Sequence, residues 1–170
     1  VIARSLIASP ALLLLDEPFS NLDMEHTHIM KGLIDDIMQS LKISCVLVSH
    51  DPLDILSWAD EIIVLQNGRI IQQDIPVNIY LQPVNEYAAA LFGNYNVLIP
   101  GNKKQDSSEQ MMLRPEHILI VPEESANTLQ GEIYKISYYG SYTELYVQVK
   151  EQKLIVKTTT GNFSLGQLVN

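Results

Sequence analysis

Two periods of hydrophobic and polar residues run along this chain. In the first half, short wholly apolar runs alternate with longer amphipathic ones. Ala11 to Leu15 is apolar throughout and ends in acid, which predicts a strand of a parallel sheet covered on both faces. Met24 to Leu41 sets Ile29, Leu33, Ile37 and Leu41 at four-residue spacing, with Met30, Ile34 and Met38 alongside. That stripe predicts one helix, with Asp23 as its N-cap. Ile43 to Val48 reads as a second buried strand. Strand, helix and strand make a βαβ unit, so the two strands are expected to be parallel with a right-handed crossover. Val1 to Ala8 reads as a helix end stopped at Ser9-Pro10. Asp51 to Asp60 reads as a short helix. Ile62 to Leu65 and Arg69 to Gln72 flank Gln66-Asn67-Gly68, and Asn-Gly signals a tight hairpin. Val77 to Tyr80 and Glu86 to Phe92 read as helices separated by Pro83.

Past a polar stretch, Gly101 to Gln110, the period changes to two. Leu145, Val147 and Val149 point one way, and Glu144, Tyr146, Gln148 and Lys150 the other. Lys153 to Lys157 follows after a turn. Met112 to Leu113, Ile118 to Val121 and Gly131 to Ser137 are further candidate strands. Short strands with close turns predict a small barrel or sandwich. The expected organisation is therefore an α/β part, residues 1–95, and a small all-β part, residues 96–170.

The chain has 170 residues, 46% of them hydrophobic, enough for a packed core. No apolar run reaches the roughly 18 residues of a membrane span. The apolar start is broken by Arg4, Ser5 and Ser9-Pro10. It lacks an initiator methionine and a basic leader, so it reads as cut from something longer rather than as a signal peptide. The single cysteine, Cys45, excludes an internal disulfide and a cysteine-based zinc site. Residues 1–95 carry 12 acidic and 4 basic side chains, and residues 96–170 carry 8 and 7. This acidic balance argues against nucleic acid as a partner. Tyr138, Tyr139, Tyr142 and Tyr146 around Gly140 suit a base-stacking platform or barrel packing, and the lack of a basic stripe favours packing. His26 and His28 lie two apart on a helix and do not share a face, so they make no metal pair.

Chemistry concentrates where the apolar runs end. Leu12-Leu13-Leu14-Leu15-Asp16-Glu17-Pro18 is a buried strand ending in two adjacent carboxylates. Ligands bind at the C-terminal edge of open α/β sheets. Successive side chains diverge on a strand, so Asp16 suits Mg²⁺, directly or through water, while Glu17 suits a water to be activated. Two acids that merely cap a strand are the plainer alternative. The next strand ends in Val48-Ser49-His50-Asp51. Adjacent parallel strands end on one edge, which brings His50 beside Asp16 and Glu17, where an imidazole suits a phosphate oxygen and a water.

Leu12 to Asp23 resembles the Walker B strand and D-loop of ABC-transporter ATPases, and Ser49-His50-Asp51 resembles their H-switch. Val1-Ile2-Ala3-Arg4-Ser5-Leu6 is similar to the helix that follows their signature sequence. Ala59-Asp60, Gly68-Arg69-Ile70 and Ile79-Tyr80-Leu81-Gln82-Pro83 match in order and spacing. Leu113-Arg114-Pro115-Glu116-His117-Ile118 resembles the start of the TOBE module of importer ATPases. The resemblance implies an incomplete P-loop NTPase-type parallel sheet in residues 1–95, followed by a TOBE-like, barrel or OB-like β domain in 96–170. It implies ATP and Mg²⁺, with Asp16 serving the metal, Glu17 the catalytic base and His50 the γ-phosphate sensor. Ser20 and Asp23, in the D-loop, would lie toward the nucleotide, and Asp23 would also face a second ATPase subunit. Asn21 stands where Ala is commoner, and Asp74 where Gly is common.

By the same resemblance, the partners are transmembrane permease subunits, a second copy of the ATPase and, indirectly, a periplasmic or surface binding protein. The location is cytoplasmic, peripheral on the inner face of the membrane. Ala90-x-Phe92-Gly93-x-x-Asn96 leans to the ferric iron and polyamine branch, among importers that also take sulfate, molybdate or sugars. No Gly-x-x-x-x-Gly-Lys-Ser/Thr occurs, nor the signature itself. Without a backbone nest for phosphates the isolated chain is expected to be inactive. A non-catalytic ligand-sensing or dimerisation module acting through the β domain is the alternative. A non-transport ATPase of DNA repair or translation fits the acidic chain poorly.

Overall fold

The computed structural model describes residues 5–6, 9–98, 111–122 and 128–170. The polar stretch at 101–110, and all of the first predicted helix except Ser5 and Leu6, lie outside these residues; Ser5 and Leu6 are helical. The chain forms two compact units, Val1–Asp60 and Glu61–Asn170. The composition step at residue 96 falls inside the second.

In the first unit, β1 (Leu12–Asp16) and β2 (Ser44–Val48) pair in parallel, Leu12 opposite Ser44 and Asp16 opposite Val48. Their crossover is α1 (Met24–Leu41). Asp23 is its N-cap: the extended backbone frees the carboxylate to accept the His26 N–H at 2.9 Å. Lys42 ends the helix in the left-handed conformation, its N–H donating to the Met38 carbonyl. The short α2 (Pro52–Leu56) follows. Leu13, Phe19 and Ile34 are the buried apolar residues described here.

Two expectations are corrected in this unit. The strands were to be covered on both faces, but Leu12, Leu14, Val46 and Val48 are exposed. The register places these four on one face, because side chains alternate and Leu14 lies opposite Val46. The pattern predicts one apolar stripe on the helix, Ile29, Leu33, Ile37 and Leu41 with Met30, Ile34 and Met38 alongside, and only part of it is buried. Ile29, Leu33 and Leu41 are exposed, while Ile34 is fully buried and Met30, Ile37 and Met38 are half-buried. An apolar stripe this wide is covered on one side only among the described residues.

The second unit begins with the hairpin β3 (Ile62–Gln66) and β4 (Arg69–Asp74). Asn67 and Gly68 connect them with φ of 50° and 75°. Two positive φ values in a two-residue loop are what the strand twist demands. Then come α3 (Pro76–Leu81), α4 (Glu86–Leu91) and the antiparallel pair β5 (Asn96–Leu98) and β6 (Met111–Leu113). A 3-10 turn, Pro115–His117, leads to β7 (Gly131–Tyr138), β8 (Thr143–Val149), β9 (Gln152–Thr158) and β10 (Leu168–Val169). These form an antiparallel sheet in the order β10-β7-β8-β9. Ile133, Leu145, Val147, Val149, Leu154, Val156 and Val169 make its core.

The strand pairing among the described residues leaves this sheet open rather than closed as a barrel. Side chains and loops cover its edges instead. The amide of Asn96 accepts the Ile155 N–H and donates to the Ile155 carbonyl, both at 2.7 Å, filling the edge of β9 as a strand residue would. Ile118 to Val121 is not a strand: the Val121 N–H donates to the Asn170 carbonyl, but no ladder forms.

Arg114, the residue after β6, ties that strand to the helices. It is 3% exposed and stacks 4.1 Å over the Tyr80 ring. Nη1 donates to the Ala89, Gly93 and Asn94 carbonyls at the end of α4, and Nε to the Tyr80 carbonyl. A cation at the negative end of a helix, with Nε and Nη1 on backbone oxygens and Nη2 buried without a hydrogen-bond partner among the described residues, joins the residues before 96 to those after it in one compact unit. Burial, together with a hydrogen bond to Glu116, pushes the Tyr80 hydroxyl up to about 12.

Candidate functional site

β1 and β2 end side by side, and the pairing continues one residue beyond them: the Glu17 N–H donates to the Val48 carbonyl at 2.8 Å. At that point the chain turns sharply. Glu17 has φ of 46°, the left-handed region that a non-glycine residue seldom occupies. The Glu17 carbonyl accepts from the Ser20 N–H at 3.4 Å and from Ser20 Oγ at 3.1 Å. Strain of this kind gathers where a side chain must be aimed.

The aim is toward β2. Nδ1 of His50 donates to Oε1 of Glu17 at 2.7 Å, across 33 residues of sequence. The imidazole is 81% exposed and the carboxylate 34% exposed, so the pair lies on an open rim. The hydrogen bond to Glu17, and then the Glu17 charge, raise the His50 pKa above the ordinary 6.5, with Asp51 and Asp54 adding to the rise. The arrangement favours a charged imidazolium at a sheet edge, a group suited to a phosphate oxygen.

The other expected residues fall around this pair. Asp16 ends β1 and is exposed. No group of three His, Cys, Asp or Glu able to hold a metal exists among the described residues. One carboxylate still fits Mg²⁺, which usually keeps its waters and takes the rest of its shell from substrate phosphates. Ser20 spends its hydroxyl on the Glu17 backbone and is exposed. Asp23 caps α1, and its side chain also lies 2.7 Å from Nδ1 of His26. The backbone N–H of His26 lowers the Asp23 pKa below 3.8, and the His26 ring contributes further. Glu17 and His50 are thus brought into contact, Ser20 touches Glu17 through the main chain, and Asp23 has its own partner.

Sequence reasoning passed over Asp54, which is buried beside Ser49 and Lys31. The available signal was helical spacing: Lys31 and Asp35 lie four apart, as do Asp54 and Trp58. Which faces meet was not in the pattern.

The profile of the TOBE domain matches residues 111–168. The chain is 32% identical to the spermidine/putrescine import ATP-binding protein PotA of Mycoplasmopsis synoviae, over 99% of this chain and 42% of that protein. It is 31% identical to the Fe(3+) ions import ATP-binding protein FbpC of Serratia marcescens, over 87% of this chain and 48% of that protein. It is 36% identical to the uncharacterized ABC transporter ATP-binding protein YdcT of Escherichia coli, over 91% and 47%. The chain spans about half the length of these curated relatives. The similarity runs through both compact units and, together with the TOBE match, is consistent with the C-terminal part of an ATP-binding subunit of an ABC importer.

Proposed function

We propose that this chain supplies the water-activating and γ-phosphate-sensing half of an ATP-hydrolysis site in a subunit that energises solute uptake. The observation that carries the reading is the 2.7 Å bond between Glu17 and His50 at the ends of neighbouring parallel strands. Glu17 is the base: its carboxylate orients a water and takes its proton as the γ-phosphate is attacked. His50 holds a γ-phosphate oxygen, and its raised pKa favours the charged form for that contact. Asp16 would hold Mg²⁺ through water, and the ion, when bound, offsets charge on the phosphate oxygens. Ser20 fixes the turn that aims Glu17. Asp23 sets the start of α1 and faces a second copy of the subunit. Residues 1–95 belong on this reading to a P-loop-type ATPase domain and 96–170 to the TOBE domain.

Relatives named for polyamine and ferric-ion import support one of those two solute classes. Permease subunits are then the direct partners, on the cytoplasmic face of the membrane, and a solute-binding protein acts further upstream. No helix of the described residues is long and apolar enough to cross a membrane.

The test uses the intact subunit with its permease. Glu17→Gln is expected to abolish turnover while ATP binding persists. His50→Ala is expected to lower kcat by about 10²-fold or more, the usual scale for a lost acid–base or sensing group. Turnover unchanged in either variant overturns the assignment. This chain alone, lacking a phosphate nest, is expected to bind Mg-ATP more weakly than the micromolar range. Micromolar binding by calorimetry contradicts that part.

A further inference from the structure

The Glu17–His50 pair lies on the surface, but what fixes His50 lies beneath it. Ser49 Oγ donates to Oδ2 of Asp54 at 3.3 Å and accepts from the backbone N–H of Asp51 at 3.1 Å. One hydroxyl therefore clasps the chain on both sides of His50. The other oxygen of Asp54 lies 3.2 Å from Nζ of Lys31 on α1, and the two side chains are only 12% and 15% exposed. Lys31 in turn lies 5.4 Å from the ring centroid of buried Phe19, two residues past Glu17. A second rung lies one helical turn on: Trp58 Nε1 donates to Oδ1 of Asp35 at 2.7 Å, and Trp58 meets the Phe19 ring edge-on at 6.2 Å.

A buried ion pair gives weak stabilisation after desolvation, and apolar residues often replace one without loss. Its use is more often to set geometry, and here the geometry ends at the imidazole. Asp54 divides its two oxygens between the lysine and the serine. An unbroken path therefore runs from the interior of α1 to the turn that carries His50. The same lysine lies over the ring that follows the Glu17 turn. The network thus touches both chain segments that deliver the pair.

We propose that Asp54, held by Lys31, is a positioning residue that acts through Ser49 to set His50 against Glu17. The inference rests on the proposed site, and it adds to that site three residues that touch no substrate.

The test reads His50 in this chain by ring ¹⁵N shifts and pH titration, with Glu17, Asp51 and Asp54 as the acidic groups around it. Ser49→Ala changes no charge. It is expected to weaken the Nδ1 hydrogen bond and bring the His50 pKa down toward 6.5. Ser49→Thr, which keeps the hydroxyl, is expected to restore both signals. Lys31→Met separates position from field: losing a nearby cation by field alone raises the His50 pKa, whereas losing position lowers it. A fall is expected. Glu17→Gln is the control for the pair itself. If Glu17→Gln leaves His50 unmoved, the pair and the proposed site both fail. If Glu17→Gln lowers the His50 pKa but Ser49→Ala does not, the positioning inference is overturned and the site stands.

Discussion

At the scale of single residues, the pair on the rim sets a pH dependence. Folding gives His50 a carboxylate partner that the unfolded chain lacks, and its pKa rises above 6.5. The folded state therefore binds the proton more tightly. The stabilisation is fully present below 6.5 and fades as pH rises through the raised value. The first unit is expected to melt at a higher temperature near pH 6 than near pH 8. Glu17→Gln should shrink the difference, leaving the smaller part due to Asp51 and Asp54. The chain has one tryptophan, Trp58, and it lies in this unit, so its fluorescence follows the transition without signal from the β domain. A dependence undiminished in Glu17→Gln assigns the proton elsewhere. Asp23 works in the opposite sense. Its lowered pKa adds stability above 3.8 that is lost as pH falls through the lowered value, so the two effects separate along the pH axis.

At the scale of elements, two glycines predict opposite outcomes. Gly131 opens β7 with no room for a side chain: an added Cβ would lie 2.5 Å from Val147 Cγ1 and 2.7 Å from Val149 Cγ2. Both valines belong to the sheet core and cannot withdraw without disturbing it. Gly131→Ala is expected to cost about 1–3 kcal/mol, the usual cost of overpacking. Gly32 lies inside α1 with nothing within 4 Å of its added Cβ. Gly32→Ala is expected to gain up to about 1 kcal/mol from helix propensity. Urea unfolding followed by circular dichroism checks both signs. The sequence pattern carried the elements because local chemistry made them: the Asp23 cap, the Asn67-Gly68 turn and the alternation of Leu145, Val147 and Val149 all hold. It carried the meeting of Glu17 and His50 for a topological reason, since adjacent parallel strands must end together. It failed where distant groups decide. Glu144 alternates as an outward residue, yet it is buried because Asn94 Nδ2 and the Tyr146 hydroxyl donate to it. Asp54 reads as an ordinary helix acid, and only the docking of α2 on α1 gives it Lys31.

At the scale of the whole molecule, the uncovered face of β1 and β2 governs behaviour in solution. Leu14 is 69% exposed, Val48 54%, Val46 50% and Leu12 47%, all on one face of a sheet that has two strands among the described residues. Isolated apolar residues are ordinary on a surface, but a contiguous apolar patch on a strand pair invites association. Ile29, Leu33 and Leu41 on α1 add further exposed apolar area to the same unit. The chain's charge of −9 opposes association at long range. Salt screens that repulsion over about 10 Å at 0.1 M while leaving apolar contact intact. Self-association is therefore expected to rise with ionic strength, the reverse of a charge-driven dimer. Leu14→Lys with Val46→Lys places two cations where the strands pair. This double variant is expected to sediment as a monomer at salt concentrations where the parent chain associates. An unchanged sedimentation profile would place the contact elsewhere. A patch that acts by burial strengthens as the repulsion is screened, whereas a dimer held by opposite charges weakens.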